Sequence, residues 1–169
     1  MKRLASTIIA LCAVLCVSAQ DSLRFGWLSY ETALMSMPQY AVVQKQMEDL
    51  RAQYQAETKR VEEEFNRKYE EFLEGQREFP KTILQKRQTE LQELMEKNIA
   101  FKEESRQQLA KAEAEAMAPL KVQLSEAIAK IATERGLALV VNTDSNACPF
   151  INPEMGENIN ELVIAQLAK

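Results

Sequence analysis

The feature that most constrains this 169-residue chain is an almost unbroken helix-forming segment from residue 40 to residue 119. Of its 80 residues, 31 are charged, and the 14 basic and 17 acidic side chains are interleaved among Gln, Ala and Leu. All of these residue types form helices readily. Glycine and proline interrupt the segment only at Gly75 and Pro80, before Pro119 at its end. The segment is therefore predicted to be helical almost throughout.

Apolar residues recur along this segment at spacings of three and four, which is the pattern of one buried helix face. They are Tyr40, Val43, Met47, Leu50, Tyr54, Val61, Phe65, Tyr69 and Phe72 in the first half, and, with a less regular period, Leu84, Leu91, Leu94, Phe101, Leu109, Ala112 and Ala116 in the second. A narrow stripe of this kind predicts a coiled-coil seam. Gly75 is typical of a helix end and Pro80 of a helix start. Two arms of nearly equal length, 38–75 and 80–119, thus predict an antiparallel helical hairpin with its tip near 75–80.

The remaining chain predicts short strands and one more helix. The apolar pattern resumes after Pro119, which predicts a kink and a helix that continues to residue 135. Gly136 is then suited to end it. Residues 137–141 are rich in Leu and Val and predict a buried strand, and residues 144–146 predict a turn into a second strand at 147–151. These strands would form a small β-hairpin, with a third strand at 24–28 and an amphipathic helix at 159–167.

The predicted fold is mainly α, with a long antiparallel helical hairpin, the arm, projecting from a small body of short β-strands. Residues 20–37 and 136–169 would form the body and residues 38–135 the arm. A body of this size buries little apolar surface, and such a core is marginal alone. We therefore predict that it is an oligomerisation body, with apolar residues buried between copies. The candidates are Phe25, Trp27, Leu139, Val141, Phe150 and Leu162.

The first nineteen residues have the composition of a cleaved secretory signal peptide. Lys2 and Arg3 form a cationic start, an apolar run follows from residue 4 to residue 17, and the small residues at 17–19 suit cleavage after Ala19. The run is short for a helix that spans a bilayer, so a retained membrane anchor is the less favoured alternative. The prediction is export.

Several classes of function are excluded by composition. The chain has no histidine and three cysteines, which excludes Ser-His-Asp and Cys-His catalysis and leaves no familiar zinc ligand set. Its four glycines form no phosphate-binding motif. Paired carboxylates could act as acid and base, but they need a fixed pocket that paired helices do not supply. We predict no enzyme activity, no metal and no cofactor.

Two further predictions concern charge and the cysteine that remains after cleavage. Removing Lys2 and Arg3 from the 21 basic residues leaves 19 against 25 acidic residues, a net charge of −6. This argues against a nucleic-acid partner, because such proteins neutralise phosphates with excess Lys and Arg. Cys148 would be the only thiol and is interpreted as a small buried hydrophobe rather than a reactive group.

The order of these parts resembles the Skp/OmpH family of periplasmic chaperones over essentially the whole mature chain. The resemblance lies in RFGWL at 24–28, MPQY at 37–40, GLALVVN at 136–142 and NINELV at 158–163, at the two ends of the charged hairpin. It implies a homotrimer whose strands form a central body, with three arms around a cavity that holds unfolded outer-membrane proteins. The best-known members are basic, whereas this chain is acidic, which argues against binding to lipopolysaccharide or anionic membranes.

Two interpretations of the apolar stripe remain open. It is either the seam between the two arms or, in part, a surface for unfolded clients. The candidate client-binding residues are Tyr54, Val61, Phe65, Tyr69, Phe72, Leu84, Met95 and Phe101. For the whole protein, the prediction is an ATP-independent holdase that prevents aggregation of unfolded outer-membrane proteins. The alternative is a structural coiled-coil scaffold or spacer of the cell envelope, which the same arms would serve.

Overall fold

A computed structural model describes residues 23–146 and 148–169 of the chain. The fold is mainly α with one small sheet, as predicted, and the predicted signal peptide lies outside the described residues. The elements are β1 (Phe25–Leu28), α1 (Tyr30–Met35), α2 (Pro38–Gly75), α3 (Lys81–Arg135), β2 (Leu139–Asn142), a 3₁₀ turn (Asp144–Asn146), β3 (Gly156–Asn158) and α4 (Asn160–Leu167). They divide into two compact units. The hairpin unit is Leu34–Gln123, and the sheet unit contains the described residues up to Ala33 together with Leu124–Lys169.

The hairpin unit consists of α2 and most of α3, which pair antiparallel. The Asn98 Nδ2 group donates a hydrogen bond of 3.1 Å to the backbone oxygen of Val61, and Lys102 forms an ion pair with Glu62. Tyr54, which precedes Val61, faces Phe101, which follows Asn98. This opposite order along the two helices is that of an antiparallel pair. The predicted hairpin is therefore confirmed.

The tip of the hairpin is closed by contact between Gly75 and Phe79. A Cβ atom on Gly75 would lie 2.3 Å from the Phe79 ring, so no larger residue fits there without displacing the ring. Gln76, which follows, keeps an ordinary right-handed conformation with φ of −58°. The prediction placed the helix end correctly. The glycine is required here by the close approach of an aromatic ring, and the left-handed turn occurs instead at Gly136, where φ is +63°.

Helix α3 runs through Pro119 without ending, as predicted. Proline has no backbone N–H group, so the helix lacks one intrahelical hydrogen bond at Pro119. A proline inside an isolated helix costs about 3 kcal/mol. The surrounding apolar contacts offset this cost, because Met117 and Leu120 on either side are buried. The other buried apolar side chains of the hairpin unit are Leu34, Met37, Val43 and Met47.

The sheet has three parallel strands in the order β2-β1-β3. The register places Phe25 beside Leu139 and Trp27 beside Val141. The strands predicted at 24–28 and 137–141 are confirmed, the latter with a shift to Leu139–Asn142. The predicted β-hairpin is wrong, since β2 and the next strand lie on opposite sides of β1 and run in the same direction.

The sequence after β2 explains why no hairpin forms. Ser145 and Asn146 both have positive φ angles, 60° and 55°, which turn the chain away from the edge of β2. Pro149 then lacks a backbone donor for a strand ladder. The chain reaches β3 only at Gly156. Cys148, expected in a strand, instead lies half-buried in a bend and its Sγ is 3.4 Å from the Phe150 backbone oxygen.

One face of the sheet is covered by apolar side chains of the sheet unit. Gly26 and Leu28 of β1 are buried there, and a Cβ on Gly26 would meet Leu137 at 2.7 Å and Ile159 at 3.4 Å. Leu124, Ile159 and Val163 are fully buried and form the centre of this core. The helix predicted at 159–167 is confirmed as α4.

The loop after β2 also caps the short helix α1. Asp144 accepts a hydrogen bond of 2.8 Å from the backbone N–H of Glu31, and Asn142 accepts one of 3.2 Å from Tyr30. These contacts satisfy donors at the helix start that would otherwise lack partners. The N–H of Glu31, followed by the hydroxyl of Ser29, lowers the pKa of the Asp144 carboxyl below its ordinary value.

We expect Asp144→Asn to destabilise the sheet unit by about 0.5 kcal/mol at neutral pH, because Asn keeps an acceptor oxygen but loses the negative charge at the helix start. Because the folded pKa of Asp144 is lowered, its ionised form contributes stability above the unfolded pKa of roughly 3.9, and this is lost as pH falls through the folded value. Urea midpoints of the two proteins should therefore converge below pH 4. Asp49→Asn, which removes an exposed pair with Lys45, is the control. A gap that persists at pH 2 would contradict the explanation.

Candidate functional site

The candidate client-binding residues are divided between the seam and the surface of the hairpin. The Tyr54 and Phe101 rings face each other across the two helices, with centroids 6.3 Å apart. Half-buried side chains in or beside the seam are Tyr54, Val61, Phe65, Phe72, Leu84 and Phe101. Only Tyr69 and Met95 of the candidates are largely exposed, at 45% and 46%. The stripe thus serves mainly as the seam between α2 and α3.

The hairpin exposes other large apolar side chains that the stripe did not include. They are Met35, Val42, Leu73, Ile83, Ile99 and Val122, with exposed fractions from 42% to 61%. Each lies off the three-four pattern that marks the seam. The sequence does contain a signal for these exposed residues, namely an apolar residue outside the stripe. Ile99, next to the seam residue Asn98, is an example. From Val42 onward these side chains are separated along the sequence by charged residues, whereas Met35 lies at the end of α1.

A small open cavity lies between the helices at the middle of the hairpin, and we call it the hairpin notch. Its volume is about 320 Å³, and it is lined by Glu62, Phe65, Asn66, Met95, Asn98, Ile99 and Lys102. Three of these side chains are apolar, two are carboxamides, and the two charged groups form the ion pair described above. The notch is therefore apolar at its wall and electrically neutral at its rim.

The charged residues of the hairpin pair mostly within one helix. Arg60 donates hydrogen bonds of 2.9 and 2.7 Å to the Glu57 carboxylate, and these bonds lower the pKa of Glu57. Arg106 does the same for Glu103. The side chains are exposed, so such pairs contribute little to stability. Their effect is to surround the exposed apolar groups with a soluble surface.

In the sheet unit, four of the candidate oligomerisation residues share the face of the sheet opposite the covered one. The ring centroids of Phe25 and Trp27 are 6.2 Å apart, and Leu139 and Val141 lie beside them in register. All four are half-buried or exposed, and Leu139 is 43% exposed. We call these four residues the open sheet face.

The other two candidates, Phe150 and Leu162, lie elsewhere in the sheet unit. Phe150 is 78% exposed in the loop before β3, and Leu162 is half-buried on α4. Within residues 23–146 and 148–169, no cluster of three His, Cys, Asp or Glu side chains is arranged to hold a metal ion. Among the helices of those same ranges, none is long and apolar enough to cross a membrane.

Comparison with known proteins decides the family. Residues 24–167 match the model of the family described as outer membrane protein (OmpH-like). The chain belongs to the OmpH-like family. A solved structure with the same fold is that of a candidate outer membrane chaperone (OmpH-like) from Caulobacter crescentus CB15, with a TM-score of 0.68 and 15% sequence identity over 85% of this chain and 82% of that one. A search of curated proteins finds no match. Membership of the OmpH-like family supports a general role in chaperoning outer-membrane proteins.

Proposed function

We propose that this OmpH-like protein is an ATP-independent holdase that binds unfolded outer-membrane proteins and prevents their aggregation. The observation that carries the proposal is the surface of the hairpin, where single exposed apolar side chains are dispersed among paired charges. An unfolded barrel protein exposes apolar side chains and unpaired strand edges, which associate with one another. Many weak, separated contacts can hold such a chain without fixing one conformation. Release then requires no nucleotide.

We propose that the functional assembly is a homotrimer whose arms, residues 38–135, surround a cavity for the client. The body, residues 20–37 and 136–169, would join the three copies. The open sheet face supports this, because Trp27, Leu139 and Val141 leave apolar area uncovered beside the short strands. Such a unit has a small core for its length, and association would bury the remaining area. We assign the candidate client-binding residues to the cavity wall formed by the arms, and the candidate oligomerisation residues to the contact between the three bodies.

We further propose that the protein acts in the periplasm after cleavage of residues 1–19. The cationic start and short apolar run support export, and the family's role requires access to unfolded outer-membrane proteins. Intact mass of protein recovered from the cell envelope tests this. A mature chain beginning at Gln20 is expected, whereas a chain that still carries Met1 would contradict it.

The holdase proposal predicts that the mature protein suppresses aggregation of a barrel protein diluted from urea. Aggregation is measured as turbidity by light scattering. Scattering should fall as the chaperone is added, and it should fall equally with and without ATP. Lysozyme at the same mass concentration controls for crowding and surface adsorption. Scattering as high as in the lysozyme control would overturn the proposal and favour an envelope scaffold.

A further inference from the structure

We propose that the hairpin notch is a binding site for a single aromatic side chain of an extended, uncharged segment of an unfolded outer-membrane protein. The inference deepens the proposed holdase function and rests on it for the identity of the client. The combined observation is an open cavity with an apolar wall, two carboxamides and a neutral rim at the middle of an otherwise charged hairpin.

The size and wall of the notch fit an aromatic ring. Its volume of about 320 Å³ exceeds the 150 Å³ of an engineered apolar cavity that binds benzene. Met95 and Ile99 leave 46% and 61% of their surface exposed, and an inserted ring would cover part of it. Phe65 forms the opposite wall, and its orientation is fixed by parallel stacking on Tyr69 with centroids 6.0 Å apart. Methionine sulfur also makes favourable contacts with aromatic rings.

The polar groups of the notch favour an uncharged peptide. Glu62 and Lys102 neutralise each other, so the rim offers no excess charge to an ionised ligand. The exposed Asn66 carboxamide carries both donors and an acceptor. The Asn98 amide N–H donates to the Val61 carbonyl, and the carboxamide oxygen has the capacity to accept a hydrogen bond. Two carboxamides beside an apolar wall thus match the unpaired N–H and C=O groups of an extended backbone that carries an apolar side chain.

Given the proposed holdase function, this chemistry fits an outer-membrane β-strand before it folds. Strands of membrane barrels alternate apolar and polar residues and carry aromatic residues where they meet the membrane interfaces. A second cavity, near the tip, is lined by Lys68, Glu71, Phe72, Phe79 and Arg87 and has two basic groups against one acidic group. A neutral strand segment is therefore better matched to the hairpin notch than to the tip.

The test uses two acetylated and amidated ten-residue peptides of alternating Leu and Thr, one with a central Tyr and the other with Ala at that position. Binding to the mature full-length protein is measured by fluorescence anisotropy. We expect the Tyr peptide to bind about tenfold more tightly, as burial of a ring would give. The double variant Met95→Gln and Ile99→Gln should reduce the ratio of the two affinities to about one. Glutamine keeps helix propensity at these exposed positions, and circular dichroism checks that the fold is unchanged.

Ala100→Gln is the matched control, because Ala100 is also exposed on α3, next to Ile99 in sequence, but does not line the notch. It should leave the affinity ratio at the wild-type value. A wild-type ratio near one, or a ratio unchanged in the double variant, would overturn the notch site. Light scattering on the same wild-type preparation tests the holdase function separately. Protection without a preference for Tyr would reject the notch alone, and a preference without protection would reject the holdase alone.

Discussion

Replacing Val141 by Asp should convert the proposed trimer into monomers. Val141 lies beside Trp27 in the parallel register of β1 and β2, on the open sheet face that the proposed trimer buries. An uncompensated charge buried in that contact costs several kcal/mol. The short-stranded sheet unit then loses the association that would stabilise it, so thermal stability should fall together with mass.

Sedimentation equilibrium over a dilution series measures this, with helical circular dichroism recorded on the same samples. The wild type should sediment as a trimer or dissociate only at low concentration, whereas the Val141→Asp variant should sediment as a monomer throughout. Val42→Asp is the control, because Val42 is 56% exposed on α2 and lies in the hairpin unit. A folded wild-type monomer at every concentration would contradict the trimer, and a trimeric Val141→Asp variant would place its interface elsewhere.

The helices could be predicted closely because their signals are local. Helix α2 begins at Pro38 and ends at Gly75, which are residue types typical of a helix start and a helix end. Why position 75 requires glycine could not be predicted. The Phe79 ring occupies the space that a side chain at this position would need, and it does so only after the tip has folded. A local pattern fixes where a helix stops. It does not contain the tertiary contact that selects one residue type there.

The sheet was harder to predict because strand pairing joins residues far apart in sequence. The runs at 24–28 and 137–141 were recognisable as strands, yet their parallel pairing depends on the whole length of α2 and α3 between them. Parallel strands need a long crossover connection. The short sequence that follows a strand does not show which distant strand it will pair with. The stretch around Phe150 looked like a strand by its apolar content. Positive φ angles at Ser145 and Asn146 and the adjacent Pro149 prevent it.

The candidate site shows the same division between local and tertiary information. Helical periodicity correctly selected the buried face that holds Tyr54 and Phe101. It could not show which apolar residues off that face stay exposed. Ile99 is adjacent to the seam, and only the packing of α2 against α3 decides that it lines an open notch.

Shortening both helices of the hairpin together should remove most of the proposed client protection while leaving the proposed trimer intact. The antiparallel pairing indicates how to do so: residues 68–74 and 81–87 are seven-residue segments on either side of the tip. Their joint deletion keeps the Gly75–Phe79 contact and the seven-residue repeat. Phe65 then takes the place of Phe72 beneath the tip, and Leu91 takes the place of Leu84. The seam remains apolar, so the shortened hairpin should fold.

Protection should fall because the proposed cavity loses the outer part of its walls, and two aggregation-prone chains can then meet. The measurements are sedimentation for the trimer and light scattering of a diluted barrel protein for holding. Lys59→Glu is the control, since Lys59 is 77% exposed and its pair with Glu63 spans 3.7 Å. Such a pair contributes little and is screened at physiological salt, so this variant should protect as well as the wild type. Full protection by the shortened protein would show that the outer part of the hairpin is not needed for holding, and would leave the hairpin notch and the sheet unit as client sites. Loss of the trimer would assign the hairpin a structural role in assembly.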